Sequence, residues 1–175
     1  MDDPALTAIA EYHNDVESSL RLYISDSSPH IIARFFGATR EELAQQIATL
    51  LGSRLEETDM RSTFAVLSTL EAAFRADYDL RCTKRLKDDL SRAFRALSKS
   101  RKKHISLDRD ILEAWKRNLP EFRQRIGELR TALRFRHWLA HGRYGKTSRL
   151  RKYDFNTIYA LADAVLKEFP LRRAG

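Results

Sequence analysis

Cysteine, proline and glycine are scarce in this chain of 175 residues, which has one, four and six of them respectively. The single Cys82 has no partner for an internal disulfide, so the expected setting is a reducing cytoplasm. Few prolines and glycines leave room for long helices. No apolar run approaches the roughly 20 residues that a membrane-crossing helix needs, so no membrane partner is expected. Asp2, Asp3 and Glu11 interrupt the N-terminal stretch, and no signal peptide is expected there. Also missing are a P-loop, a glycine-rich dinucleotide turn, a Ser/His/Asp arrangement, an internal repeat and a low-complexity linker. A single domain over residues 1–175 follows, large enough to bury a core without disulfides or metal.

What the chain does have is charge and helical periodicity. Hydrophobic residues make up 43% and charged residues 32%, and the formal net charge is +8 with a pI near 9.8. That excess favours a polyanionic partner, RNA or DNA first among them. Apolar residues recur at three- and four-residue steps almost throughout, predicting an all-α bundle of about six or seven helices. Asp2-Asp3-Pro4 opens the first helix, which ends before Ser27-Ser28-Pro29. His13 and His30 show no partner pattern and are expected to be ordinary surface or packing residues. Residues 29–38 form a connector, and Thr39-Arg40-Glu41-Glu42 is a capping box for a second helix ending at Gly52. Thr58-Asp59-Met60 opens a third. Ser106 and Asp154 cap two later helices, and residues 98–104 form a loop.

The strongest signal is the segment from Pro120 to His141. Ile126, Leu129, Leu133, His137, Ala140 and His141 share one helical face, with Pro120 at the start and Gly142 at the stop. The pattern thus puts an imidazole at position 137 where a leucine would fit, with Arg136 at the edge of the same face. His137 and His141 have the i, i+4 spacing of a metal pair, yet no Glu follows His137 and no nearby Cys, Asp or Glu completes a set. No metal or other cofactor is therefore expected. The bland reading is a pair of packing histidines among arginines whose stems cover apolar neighbours.

Arg136-His137-Trp138-Leu139-Ala140-His141 resembles the Arg-x4-6-His motif of the HEPN superfamily (higher eukaryotes and prokaryotes nucleotide-binding), in which a polar residue typically follows the arginine. The Leu139-Ala140-His141-Gly142 run is similar to many prokaryotic members. The resemblance covers Arg130 to Arg143 in detail and the helical pattern more loosely. It implies a metal-independent endoribonuclease, a toxin or phage-defence effector, with Arg136 and His141 as the principal catalytic pair and His137 assisting. It also implies a homodimer with a composite cleft, and polar residues from another helix around the Arg/His pair. Other members bind RNA or nucleotides without cutting, so a non-catalytic RNA- or protein-binding module is the alternative.

Several further residues are candidates for the supporting roles. Glu71 and Asp77 could orient Arg136 or His141, while Glu71 and Arg75, one turn apart, could equally be an intrahelical ion pair. Residues 81–103 are strongly basic, Arg81, Lys84 and Arg85 leading, and form either a phosphate-contacting strip or a solvated face. Arg143, Tyr144, Lys146, Arg149, Arg151 and Lys152 place cations and an aromatic ring just after the motif, suited to phosphates and a stacked base. Metal-free RNA cleavage needs a base for the 2′-hydroxyl proton, an acid for the 5′-oxygen and a cation for the phosphorane. Five residues on a regular helix separate Arg136 and His141 by roughly 140°. Either the helix end bends, or two copies of the strip meet. An antitoxin or other regulatory protein would be a natural partner for such an enzyme.

Overall fold

The computed structural model describes residues 3–25, 28–100, 105–141 and 153–173. They form seven α-helices and no strand, as the periodicity predicted. The helices are α1 (Pro4–Tyr23), α2 (Pro29–Arg34), α3 (Arg40–Thr83), α4 (Asp89–Ser100), α5 (Leu112–Asn118), α6 (Arg123–Ala140) and α7 (Phe155–Glu168). A π-helical turn (Leu107–Ile111) precedes α5, and a 3-10 turn (Pro120–Phe122) precedes α6.

Helix starts follow the capping chemistry of the sequence. Asp3 accepts from the amides of Ala5 and Leu6, with Pro4 beside it in the first turn. Thr39 and Glu42 complete a reciprocal capping box. Asp154 accepts from the Thr157 amide at 2.7 Å, and Ser106 accepts from that of Arg109. The connector expected over residues 29–38 contains the six-residue α2 instead. α4 runs to Ser100, so residues 98–100 of the loop expected over 98–104 are helical, and residues 101–104 lie outside the described set.

The largest departure is α3. Gly52 does not end a helix, and Thr58-Asp59 does not begin one; a single helix of 44 residues runs through both. An isolated glycine weakens a helix by only about 1 kcal/mol against alanine, and the residues around it are good helix formers. Asp59 does cap a helix, but a distant one: its carboxylate accepts from the amide of Phe155, first residue of α7, at 3.0 Å. The signal was sound and its address was wrong.

The core gathers around the C-terminal half of α3. Val66, Leu67, Leu70 and Phe74 are fully buried against Leu112 and Trp115, Ile126 and Leu129, and Ile158 and Val165. Phe74 meets Trp115 and Phe169 edge-on at 5.8 and 5.7 Å, the geometry aromatic quadrupoles favour. His13 packs at the middle of α1, stacked 3.9 Å from Phe155 with Nδ1 3.1 Å from the Ser62 hydroxyl, in keeping with a packing role.

α6 presents a different face to the core than expected. Its buried residues are Ile126, Leu129, Ala132 and Phe135. Each three-residue step falls about 60° short of a full turn, so the buried stripe winds away from the line through Leu133 and His137. His137, Ala140 and His141 are exposed. The imidazoles therefore do not replace core leucines.

Candidate functional site

Freed from the core, the histidine side of α6 forms one wall of a cleft of about 750 Å³. The opposite wall is α3 at Glu71 and Arg75, and one end is closed by the π-helical turn at Asp108 and Arg109. α6 contributes Arg130, Arg134, Arg136, His137, Trp138 and His141. Five arginines thus line the space with two carboxylates, Glu71 and Asp108, among them.

Arg136 is held from three directions. Its Nη1 lies 2.8 Å from Glu71 Oε2. Its Nε donates to the Ser68 hydroxyl at 3.2 Å, which itself donates to the Phe64 carbonyl at 2.8 Å. Its guanidinium carbon sits 5.2 Å from the centre of the Phe64 ring, within cation–π range. The second Glu71 oxygen accepts from Arg75 at 2.8 Å. One carboxylate therefore bridges two guanidinium groups, fixing a planar cation at the cleft wall. A guanidinium fixed this way can still present donors to an incoming phosphate.

The rings of His137 and His141 lie 4.1 Å apart, tilted by 57°. His141 is the residue at which α6 ends, with φ −94° and ψ 28° outside the helical range and its amide still bonded to the His137 carbonyl. Both rings are exposed at the cleft, His137 directly after Arg136 in the chain and His141 one turn further on. Arg136 and His141 thus border one space within a single chain, despite their angular separation on the helix.

Arg130 anchors the far end. It bonds Asp108 through Nε and Glu113 through Nη1, the latter at 3.1 Å. The bond to Asp108 pushes the guanidinium pKa further up. Glu113 is held below the usual carboxylate range by its bond to Arg117 and then by Arg130. Among the described residues, no three His, Cys, Asp or Glu side chains gather as a metal site.

The sequence candidates separate accordingly. Arg136, His137, His141, Glu71 and Arg75 come together at the cleft. Asp77 and Arg81 do not, and the roles first offered for them need correcting. Asp77 is fully buried, and its Oδ1 accepts from Arg81 Nε and from the Arg172 amide, both at 2.7 Å. Burial pushes the Asp77 carboxyl pKa up, against the pull of those two donors. Arg81 is 4% exposed and also reaches Asp88, Ser91 and the Pro170 carbonyl, so no phosphate can approach it. The pair ties the C-terminal tail to α3. Lys84 and Arg85 are exposed after the last turn of α3, away from the cleft lining. Arg143, Tyr144, Lys146, Arg149, Arg151 and Lys152 lie outside the described residues.

Sequence reasoning missed Ser68, Phe64, Asp108, Arg109, Arg130 and Arg134. Arg130 and Arg134 did carry a signal. With His137 and His141 they repeat at four-, three- and four-residue steps, a polar stripe opposite the apolar one. Ser68 carried none, because its role depends on how α3 and α6 cross.

Comparison of the chain with protein-family models, with curated proteins and with solved structures finds no match. The all-α architecture and the arginine–histidine cleft are therefore what functional reasoning has to start from.

Proposed function

We propose that the protein is a metal-independent endoribonuclease that cuts RNA by 2′-hydroxyl attack, leaving a 2′,3′-cyclic phosphate. The observation that carries this reading is the placement of a pinned guanidinium, Arg136, on the same cleft as two exposed imidazoles. In the reaction, one imidazole takes the 2′-hydroxyl proton as the oxygen attacks phosphorus. The bond from phosphorus to the 5′-oxygen breaks, and the other imidazole, protonated, gives that oxygen its proton. Arg136 stabilises the charge that gathers on the non-bridging oxygens. The imidazole is the side chain suited to both proton transfers near neutrality. The net charge of +8 and the arginine-rich cleft support a polyanionic substrate. The resemblance of residues 136–141 to the HEPN motif supports the same chemistry and adds the readings of a homodimer, and of a toxin or defence effector restrained by an antitoxin.

A second reading, an RNA-binding module without chemistry, draws on one observation: two of the three guanidinium nitrogens of Arg136 are already engaged by Ser68 and Glu71.

The deciding measurement is RNA cleavage in EDTA by the native chain, Arg136→Ala and His141→Ala, with end-group analysis of the products. Cleavage to cyclic phosphate ends that both variants lose is the expected result. A folded native chain that binds RNA and leaves it intact would favour the binding module.

A further inference from the structure

We infer that the acidic N-terminal arm of the chain is an interaction surface for the basic body of a second copy. The inference is independent of the nuclease reading. It begins with α3, which at 44 residues is roughly 66 Å long. From Ser62 onward the helix carries buried residues at every turn, whereas none of residues 40–61 is buried. That first half packs with α1, and the distal half of α1 has no buried residue either. Only Ile24, Ser28 and Ile31 are buried at the tip. The sequence spends half of its longest helix on an arm that holds itself together and adds little to the main core.

Among the described residues, every large hydrophobic side chain left exposed belongs to this arm: Tyr12, Leu22, Tyr23, Ile32 and Phe36. Phe36 is 92% exposed and Leu22 is 80% exposed. Four of the five cluster where α1 ends and α2 begins and ends, beside Gly37, whose φ of +89° makes the turn into α3. Single exposed apolar residues are ordinary, but a concentration of this kind in one element marks a docking surface.

Charge identifies the occupant. Residues 1–60 hold eleven carboxylates and four arginines, for a net charge of −7. Residues 61–175 hold the remainder, a net charge of +15. Near the body some of this charge is met within the chain, Asp3 by Arg173 and Asp59 by the Phe155 amide. The distal arm cannot fold back onto its own basic body, because α3 runs unbroken from one into the other. A second copy can bring the two together. A two-fold arrangement satisfies both arms at once, each lying on the partner's body.

The receiving surface that fits is α4. Ala93, Ala96 and Leu97 border a groove of about 490 Å³ between α4 and α5. Arg109, Asp110, Glu113 and Arg117 border it from the other side, while Lys87, Arg92 and Lys99 are exposed on α4 and just before it. The apolar floor matches the apolar tip, and the exposed cations along α4 face the acidic flanks. This assigns the basic strip after α3 to a protein contact.

The test is sedimentation equilibrium of the full chain at low and high salt, with circular dichroism to check the fold of each variant. The native chain is expected to dimerise, and more weakly as salt rises. Leu22→Ser with Phe36→Ser should weaken dimerisation at least tenfold. Asp15→Lys with Glu56→Lys on the exposed arm should do the same, and adding Lys87→Glu with Lys99→Glu should restore it. A monomeric native chain would overturn the inference. So would a dimer indifferent to the arm variants but broken by changes on α6, an outcome that would leave the composite-cleft reading intact.

Discussion

Glu71 shows how much one side chain can organise. Its two oxygens hold Arg136 and Arg75 apart and in place, so the cleft's central cation depends on a carboxylate that never needs to touch a substrate. Glu71→Gln keeps the shape and removes the charge. On the proposed chemistry, cleavage at saturating RNA should fall about ten- to a hundredfold, the effect of a displaced catalytic group, while RNA affinity and the melting temperature change little. A purely structural Glu71 would give the reverse, a lower melting temperature with the rate of the folded fraction preserved. Arg136→Lys should not rescue Arg136→Ala, since an ammonium cannot bond Ser68, Glu71 and a phosphate in one plane.

At the scale of elements, α7 is set by two carboxylates from different parts of the chain. Asp154 caps it locally through the Thr157 amide and hydroxyl, and those bonds hold its carboxyl below the usual range. Asp59 satisfies the Phe155 amide from α3, and there burial pushes the carboxyl up. The two should respond oppositely to acid. A folded-state pKa below the unfolded one adds stability above the ordinary carboxylate range, and that stability is lost as pH falls through the depressed value. Asp154→Ala should therefore destabilise the protein by about 1 kcal/mol at neutral pH, with the difference closing toward pH ~2. Urea unfolding of both proteins across that range checks it. A constant difference at all pH values would mean that the cap acts through packing and not through its charge.

Across the whole molecule, the Asp77–Arg81 pair anchors the segment that follows α7, and that segment in turn meets the start of α1. Arg81 reaches the Pro170 carbonyl and Asp77 receives the Arg172 amide, while Arg173 meets Asp3 at 2.7 Å. Arg81 also lies 5.5 Å from the Trp115 ring, so it ties the tail to the centre of the core. Removing one partner of a buried pair leaves an uncompensated charge. Asp77→Ala should destabilise by about 3 kcal/mol, read as a lower urea midpoint. On the proposed function, and because neither residue lines the cleft, the folded variant should bind RNA as the native chain does. Loss of that affinity in a folded Asp77→Ala protein would return the pair to the functional site.

The residues themselves determined the helical class, most of the helix starts and the strip on which the arginine and histidines stand. All of these follow from local chemistry: periodicity, caps and charge act within a few residues of one another. What only the tertiary structure decided was which partner each signal serves. Asp59 reads as the start of its own helix and caps α7. Asp77 and Arg81 read as functional and lock the tail. His137 reads as a core position and stands exposed. Ser68 gives no local sign and meets Arg136 sixty-eight residues away. Hydrogen-bond donors and acceptors are alike wherever they occur, so sequence can say that a carboxylate will find a partner. The crossing of α3 with α6 and α7 determines which partner that is.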